Sequence, residues 1–120
     1  MQRILIAEDD PVLSMIYEIT LTEAGFDVLL CQDGQEAFEA LDRFAPDLVI
    51  TDHSMPRMSG GELVSAVRKH RPEAVTLMAS AVDARLLKDD QHADARLEKP
   101  ITPGRLLQMV RALEAAQADA

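Results

Sequence analysis

Four short stretches of this chain end in side chains that could do chemistry together. Glu8, Asp9 and Asp10 follow the apolar run Ile4-Leu5-Ile6-Ala7. Asp52 follows Leu48-Val49-Ile50-Thr51, Ser80 follows Leu77-Met78-Ala79, and Lys99 follows Arg96-Leu97-Glu98. From Asp9 to Asp52 is 43 residues, from Asp52 to Ser80 is 28, and from Ser80 to Lys99 is 19, so only a fold can gather them. Gathered carboxylates repel: a pair at ~4 Å costs about 4 kcal/mol at an effective dielectric of about 20. A hard divalent ion such as Mg²⁺ answers that repulsion, because it takes oxygen ligands and keeps several waters. A lysine adds positive charge and a serine adds a hydroxyl donor. Together these groups suit a bound phosphoryl group, whose charge the metal and lysine would neutralise while an aspartate oxygen attacks phosphorus.

The elements that must position these side chains can be read from apolar periodicity. Ile4 to Ala7 is a buried-strand run closed by three acids. Pro11 suits the first turn of a helix, in which Val12, Leu13, Ile16 and Ile19 recur at helical spacing, with Gly25 as its stop. Phe26 to Cys31 reads as a second strand, ended by Asp33-Gly34. Ala37, Phe38, Leu41 and Phe44 mark a second helix before Pro46, and Leu48 to Thr51 a third strand. The pair Gly60-Gly61 precedes a helix with Leu63, Val64 and Val67, and Val75 to Ala79 forms a fourth strand. Asp83 to Asp90 is a short, weakly apolar helix, and Arg96-Leu97-Glu98 is poor strand material. Pro103 opens a last helix with Leu106, Leu107, Val110 and Leu113, expected to fray from Ala115. Strands alternating with helices imply right-handed crossovers and a parallel α/β sheet covered on both faces. Ligands of such sheets bind beyond the carboxyl ends of the strands, where all the chemistry-bearing residues fall.

Composition narrows the possibilities further. The chain has 120 residues, a length for one domain rather than two. Twelve Lys and Arg stand against 21 Asp and Glu, a net charge of −9, which opposes nucleic acid or an anionic membrane surface as the main partner. The single cysteine, Cys31, excludes an intrachain disulfide and fits a reducing compartment. It reads as a small buried hydrophobe. The opening apolar run is too short for a signal peptide, and no stretch approaches the roughly 20 apolar residues of a membrane span, so a cytoplasmic protein with no membrane insertion is expected. Phosphate-binding glycine loops and zinc-ligand spacings are absent, and His53, His70 and His92 show no ligand spacing.

Four blocks in order resemble the receiver domain of bacterial two-component response regulators, the chemotaxis-regulator-like family. They are Ile-Leu-Ile-Ala-Glu8-Asp9-Asp10, Leu-Val-Ile-Thr-Asp52-His-Ser-Met-Pro56-Arg-Met-Ser-Gly60, Leu-Met-Ala-Ser80-Ala81 and Leu-Glu-Lys99-Pro100. The resemblance covers Ile4 to about Leu113. It implies a flavodoxin-like, doubly wound fold: a five-stranded parallel sheet in the order 2-1-3-4-5 with five helices. It implies one receiver domain over 1–120, with its core between about 3 and 115. Asp52 would be the phosphoacceptor. Glu8 and Asp9 would bind Mg²⁺ (or Mn²⁺) with Asp52 and the main-chain carbonyl of Ser54, and Asp10 falls one place beyond that pair. Ser80 and Lys99 would contact the phosphoryl group, with Lys99-Pro100 in the cis form. The donor would be a sensor histidine kinase or a histidine phosphotransfer protein, and the output an unknown downstream protein, with no direct nucleic acid contact. Such a protein is a phosphoacceptor that assists its own phosphorylation and dephosphorylation, not a turnover enzyme.

The chain departs from the family pattern on one face. Arg96 stands three places before the lysine, where an aromatic switch residue is usual. The stretch from Ser80 to Lys99 is short for the family, which predicts a short or mobile fourth helix, and Ile101 replaces a common phenylalanine. Ser54 and Val82 flank the path of an attacking water. Three other readings compete. A receiver-fold module could bind without phosphate. The chain could be a receiver cut from a hybrid kinase or longer regulator, although Met1 and the alanine-rich end favour a stand-alone receiver. A phosphatase acting through an aspartyl phosphate would want Asp-x-Asp, and Ser54 stands in the second place.

Overall fold

The computed structural model describes residues 1–81, 85, 88 and 91–118. Its elements are β1 (Arg3–Ala7), α1 (Pro11–Glu23), β2 (Asp27–Cys31), α2 (Gly34–Phe44), β3 (Leu48–Asp52), α3 (Gly60–His70), β4 (Val75–Ser80), β5 (Ala95–Glu98) and α4 (Pro103–Ala118). The strands form one parallel sheet in the order β2-β1-β3-β4-β5, as expected. The described residues hold four helices. The fifth one expected, over 83–90, lies outside the described residues except for Arg85 and Lys88.

Side-chain alternation along the central strands builds two cores. Ile4 and Ile6, with Leu48, Ile50, Leu77 and Leu97, face Tyr17 and Leu21 of α1 and Leu106 and Val110 of α4. Leu5, Ala7, Cys31 and Val49 face Ala37, Ala40 and Leu41 of α2 and Leu63 and Val67 of α3. A continuous apolar run therefore supplies both faces at once, which is why these strands carry no polar alternation. Cys31 is buried as read, and burial pushes its thiol up to about 12.

Each helix that opens at the carboxyl edge is capped by a side chain from the preceding loop. The Asp10 carboxylate accepts from the amides of Val12 (2.9 Å) and Leu13 (3.2 Å), with Pro11 at the first helical position. Asp33 accepts from Glu36 N at 2.8 Å to cap α2. Ser59 and Glu62 form a reciprocal capping box on α3 at 3.1 and 3.0 Å.

Three expectations need correction. Gly34 and Gly60-Gly61 lie inside the first turns of α2 and α3 rather than ahead of them. The final helix runs to Ala118 without fraying at Ala115, since alanine propagates helix and Arg111 pairs with Glu114 at 3.2 Å. The fifth strand forms as expected despite its poor composition, because Asp94, just before it, accepts from Thr76 N at 2.9 Å and helps set its register on β4. On α1 the buried stripe runs through Leu13, Ile16, Tyr17 and Leu21, while Val12, Met15 and Ile19 are 59%, 52% and 49% exposed. Apolar residues occupy more than one face of that helix, so periodicity alone could not choose the inner one.

The amino edge of the sheet is tied by Asp47. Its carboxylate accepts from Gln2 N at 2.7 Å and Arg3 N at 2.8 Å, its amide donates to Arg3 O at 2.8 Å, and its carbonyl accepts from Val75 N at 2.9 Å. Burial pushes the Asp47 carboxyl up, but the two amides, the amino terminus and Arg3 outweigh it and hold the value below the ordinary 3.8. Stabilisation from such a group is present above the unfolded value and is lost as pH falls through the folded one. Asp47→Ala is expected to lower stability by about 1–2 kcal/mol in urea unfolding at neutral pH. The gap to the parent protein should close as pH is taken below the ordinary aspartate range.

Candidate functional site

Strand register brings the sequence-singled residues to one edge. Ala7 pairs with Thr51, Asp52 with Ala79 and Ser80 with Glu98, so the four carboxyl ends finish nearly level. Glu8 and Asp9 continue beyond β1, Asp52 ends β3, Ser80 ends β4 and Lys99 continues beyond β5. Carboxylate oxygens of Glu8, Asp9 and Asp52 all lie within 4.8 Å of one another. Lys99 Nζ stands 3.0 Å from Asp52 Oδ1 and 3.4 Å from Glu8 Oε2. Ser80 is buried, and its carbonyl accepts from Lys99 N at 3.1 Å. The Lys99–Pro100 peptide is cis, as the resemblance implies.

The charges in this cluster do not balance. Three carboxylates face one ammonium. Glu8 is 3% exposed, and burial pushes its carboxyl above the ordinary 4.5. The Asp10 amide (3.1 Å) pulls it down, Asp52 pushes it up, and Lys99 pulls it down again. Burial works against the Lys99 ammonium too, but Asp52 and Glu8 outweigh it and raise its value above 10.5. A compact set of carboxylate oxygens, two of them on partly or fully buried residues, with an uncompensated negative charge, is a donor set for a hard divalent cation. Glu8, Asp9 and Asp52 therefore fit Mg²⁺ by chemistry. Ser54 stands in the exposed loop after β3, two residues beyond Asp52, with its hydroxyl 3.3 Å from His53 Nδ1. Val82 lies outside the described residues.

Two cavities of opposite character flank the cluster. One of ≈ 330 Å³ includes Glu8, Asp9, Cys31, Gln32 and Glu36 in its lining, on the side of β2. The other, of ≈ 370 Å³, is lined by Ala81, Arg85, Arg96, Glu98 and Lys99, on the side of β5. Arg96 Nε is buried there without a hydrogen-bond partner. The residue read as an atypical switch thus shares a cavity with the lysine of the site.

Several site-building residues escaped the sequence reading. A Cβ on Gly60 would run into the Asp52 carbonyl oxygen, and one on Gly34 would run into the Met58 carbonyl. These glycines let α3 and α2 close onto the β3–α3 loop. Arg57, at φ 69°, donates from Nε (3.0 Å) and from a terminal nitrogen (3.1 Å) to the two oxygens of Asp33. That bidentate bond holds the Asp33 carboxyl below the ordinary 3.8. A glycine before a helix is a weak signal alone. The contact that makes it necessary appears only in three dimensions.

A doubly wound parallel sheet in the order 2-1-3-4-5, with acids and a lysine at its carboxyl edge, is the architecture of the chemotaxis-regulator-like receivers. Residues 4–111 match the family model of the response regulator receiver domain. The chain belongs to that family. It is 33% identical over 113 residues to the DNA-binding response regulator MtrA of Mycolicibacterium smegmatis, covering 92% of this chain and 50% of that protein. It therefore spans half the length of that relative. Among solved structures it is similar to the chemotaxis protein CheY4 of Vibrio cholerae (29% identity, TM-score 0.84, 93% of this chain and 98% of that one). It is also similar to the response regulator TrrA of Thermotoga maritima in complex with Mg²⁺ and BeF (28% identity, TM-score 0.83, 94% and 99% of the two chains). Among the described residues no helix is long and apolar enough to cross a membrane.

Two outcomes follow from this geometry. Gly60→Ala is expected to cost about 1–3 kcal/mol by overpacking against Asp52, measured by urea unfolding. Mg²⁺ at ten times its Kd should add about 1.4 kcal/mol by mass action, on the order of 5 °C in Tm for a domain of this size. Lys99→Ala, which removes the ammonium paired with Asp52 and Glu8, should make the Mg²⁺-induced shift larger. A melting temperature indifferent to millimolar Mg²⁺ in both proteins would remove the case for a metal site.

Proposed function

We propose that this chain is a phosphorylation-controlled switch in two-component signalling, with Asp52 as its phosphoacceptor. The observation that carries the proposal is the convergence of Glu8, Asp9, Asp52 and Lys99 on one edge, with three negative charges against one positive. Residues 1–120 act as one receiver domain, with its core between about 3 and 115. The donor is a phosphohistidine on a sensor kinase or a phosphotransfer protein.

In the transfer, an Asp52 carboxylate oxygen bonds to phosphorus as the phosphorus–nitrogen bond to the donor imidazole breaks, and the imidazole leaves with the electron pair. Glu8, Asp9, Asp52 and the carbonyl of Ser54 hold Mg²⁺ or Mn²⁺, which when bound neutralises charge on the phosphoryl oxygens. Lys99 pairs with one of those oxygens and the Ser80 hydroxyl donates to another. Beside Asp52, a protein donor meets the opening turns of α1, where Val12, Met15 and Ile19 stand exposed. Withdrawal of Ser80 and Lys99 toward the phosphoryl group alters the surface near β5. Arg96 replaces the usual aromatic residue there, so the response at that edge is one of charge rather than of a ring filling vacated space. The setting is cytoplasmic, and the output is contact with a downstream protein.

A second reading has one observation in its favour. The Arg96 side chain removes the familiar hydroxyl-to-aromatic coupling, as in a module that binds its partner without phosphate. The two readings diverge in one experiment. Incubation with acetyl phosphate and Mg²⁺ should add a single phosphoryl group to the intact mass, and Asp52→Asn should abolish the addition. A parent protein that gains no mass, or an Asp52→Asn protein that gains as much, ends the phosphoacceptor reading. Partner affinity unchanged by Asp52→Asn and by phosphodonor would favour the second reading instead.

A further inference from the structure

Tyr17 carries a polar atom that the fold leaves unmatched. It is the chain's one tyrosine, 2% exposed, and its hydroxyl is buried without a hydrogen-bond partner. Buried hydroxyls ordinarily have partners, and a phenylalanine would fill the same apolar volume without the mismatch. The position of the ring suggests what the oxygen serves. Tyr17 lies in the second turn of α1, the helix that begins at Pro11 just beyond Glu8 and Asp9. Side chains of a helix lean toward its amino end, so this ring rises from the core toward the carboxyl edge of the sheet. The charges around the hydroxyl agree with that placement. After burial, which raises its pKa, come Lys99, Glu8, Asp52 and Asp10. The ring also packs in one core cluster with Ile6, Ile50 and Leu97, which stand two residues before Glu8, Asp52 and Lys99 along the chain.

We propose that Tyr17 is a positioning residue for Lys99: its hydroxyl accepts a hydrogen bond from the ammonium when Lys99 turns toward a phosphoryl group on Asp52. The inference rests on the phosphoacceptor reading of Asp52. An ammonium has three donors. In this structure one reaches Asp52 at 3.0 Å and another reaches Glu8 at the longer 3.4 Å. A divalent cation bound by the same two carboxylates competes for their oxygens and repels the ammonium. A neutral acceptor at this edge offers the displaced ammonium a hydrogen bond without adding charge.

The chain has no tryptophan, so its intrinsic emission comes from Tyr17 alone. That makes the residue its own reporter. The experiment compares the parent protein, Tyr17→Phe and Lys99→Met. Urea unfolding without Mg²⁺ should show Tyr17→Phe as stable as the parent or more so, because only an unmatched oxygen is removed. With acetyl phosphate and saturating Mg²⁺, Tyr17→Phe should gain phosphoryl mass about three- to tenfold more slowly than the parent, the loss of one hydrogen bond. The Mg²⁺ concentration for half-maximal rate should stay unchanged. Tyrosine emission of the parent should shift on adding BeF₃⁻ with Mg²⁺, and that shift should vanish in Lys99→Met. A Tyr17→Phe protein that phosphorylates at the parent's rate overturns this inference and leaves the phosphoacceptor reading standing. A parent that takes no phosphoryl group overturns both. An emission shift that survives Lys99→Met overturns the assignment to Lys99.

Discussion

The Lys99 ammonium stands 3.0 Å from Asp52 and 3.4 Å from Glu8, with Asp9 alongside, and it neutralises one of three negative charges. Parallel pairing makes this crowding unavoidable. Strand ends that finish level must place the residues after β1 beside the last residue of β3. Burial of Glu8 sharpens the conflict, since a desolvated carboxylate loses water without gaining a full partner. The ion pairs prevent the site from flying apart rather than making the fold strong. In a partly buried cluster, removing one partner costs far more than the pair contributes over an apolar substitute. The edge is stable enough to fold and unbalanced enough to bind.

The surroundings of Asp52 are built to keep it there. Gly60 lets α3 press against the end of β3, and the Gly60 amide donates to His53 O at 2.8 Å. Gly34 lets α2 meet Met58 on the far side of the same loop. Asp33 serves two partners, capping α2 through Glu36 N and gripping Arg57 with both oxygens. Arg57 holds a positive φ, a conformation a non-glycine residue keeps only when its surroundings over-determine it. These contacts brace the loop that carries Ser54 from two sides.

Much of this was legible in the sequence because buried parallel strands leave a strong trace. Runs such as Ile4 to Ala7 and Leu48 to Ile50 are apolar without alternation, and each leads into an acid that the fold gathers at one edge. Family resemblance then supplied the strand order, which no local pattern encodes. What was not legible depended on distance. The inner face of α1 was hidden because Val12, Met15 and Ile19 are as apolar as Leu13, Ile16 and Leu21. Tyr17 carries no signal in the sequence, since nothing in a helical stripe says that a buried hydroxyl will lack a partner. Gly34 read as a strand stop and Gly60 as the lead-in to a helix, because the carbonyls that demand them come from other segments.

The distribution of charge around the site resolves a difficulty that net charge alone raises. A chain of net charge −9 repels a phosphorylated donor and attracts cations everywhere. The function proposed for the site needs both a cation and an anion at one edge. Its two flanks divide that task. The cavity on the β2 side is lined by Glu8, Asp9 and Glu36, a negative flank suited to a divalent ion. The cavity on the β5 side gathers Arg85, Arg96 and Lys99 around a single Glu98. Three of the chain's 12 basic residues line that one opening, against a surface that is otherwise acidic. Within a Debye length of roughly 8 Å at physiological salt, an approaching group responds to these local charges more than to the distant remainder. Negative groups therefore gather on the Asp9 side of the cluster and positive ones on the Lys99 side. An aromatic residue in place of Arg96 would leave the anion-facing flank with one cation fewer. The departure at that position thus reinforces the polarity on which a site for two oppositely charged ligands depends.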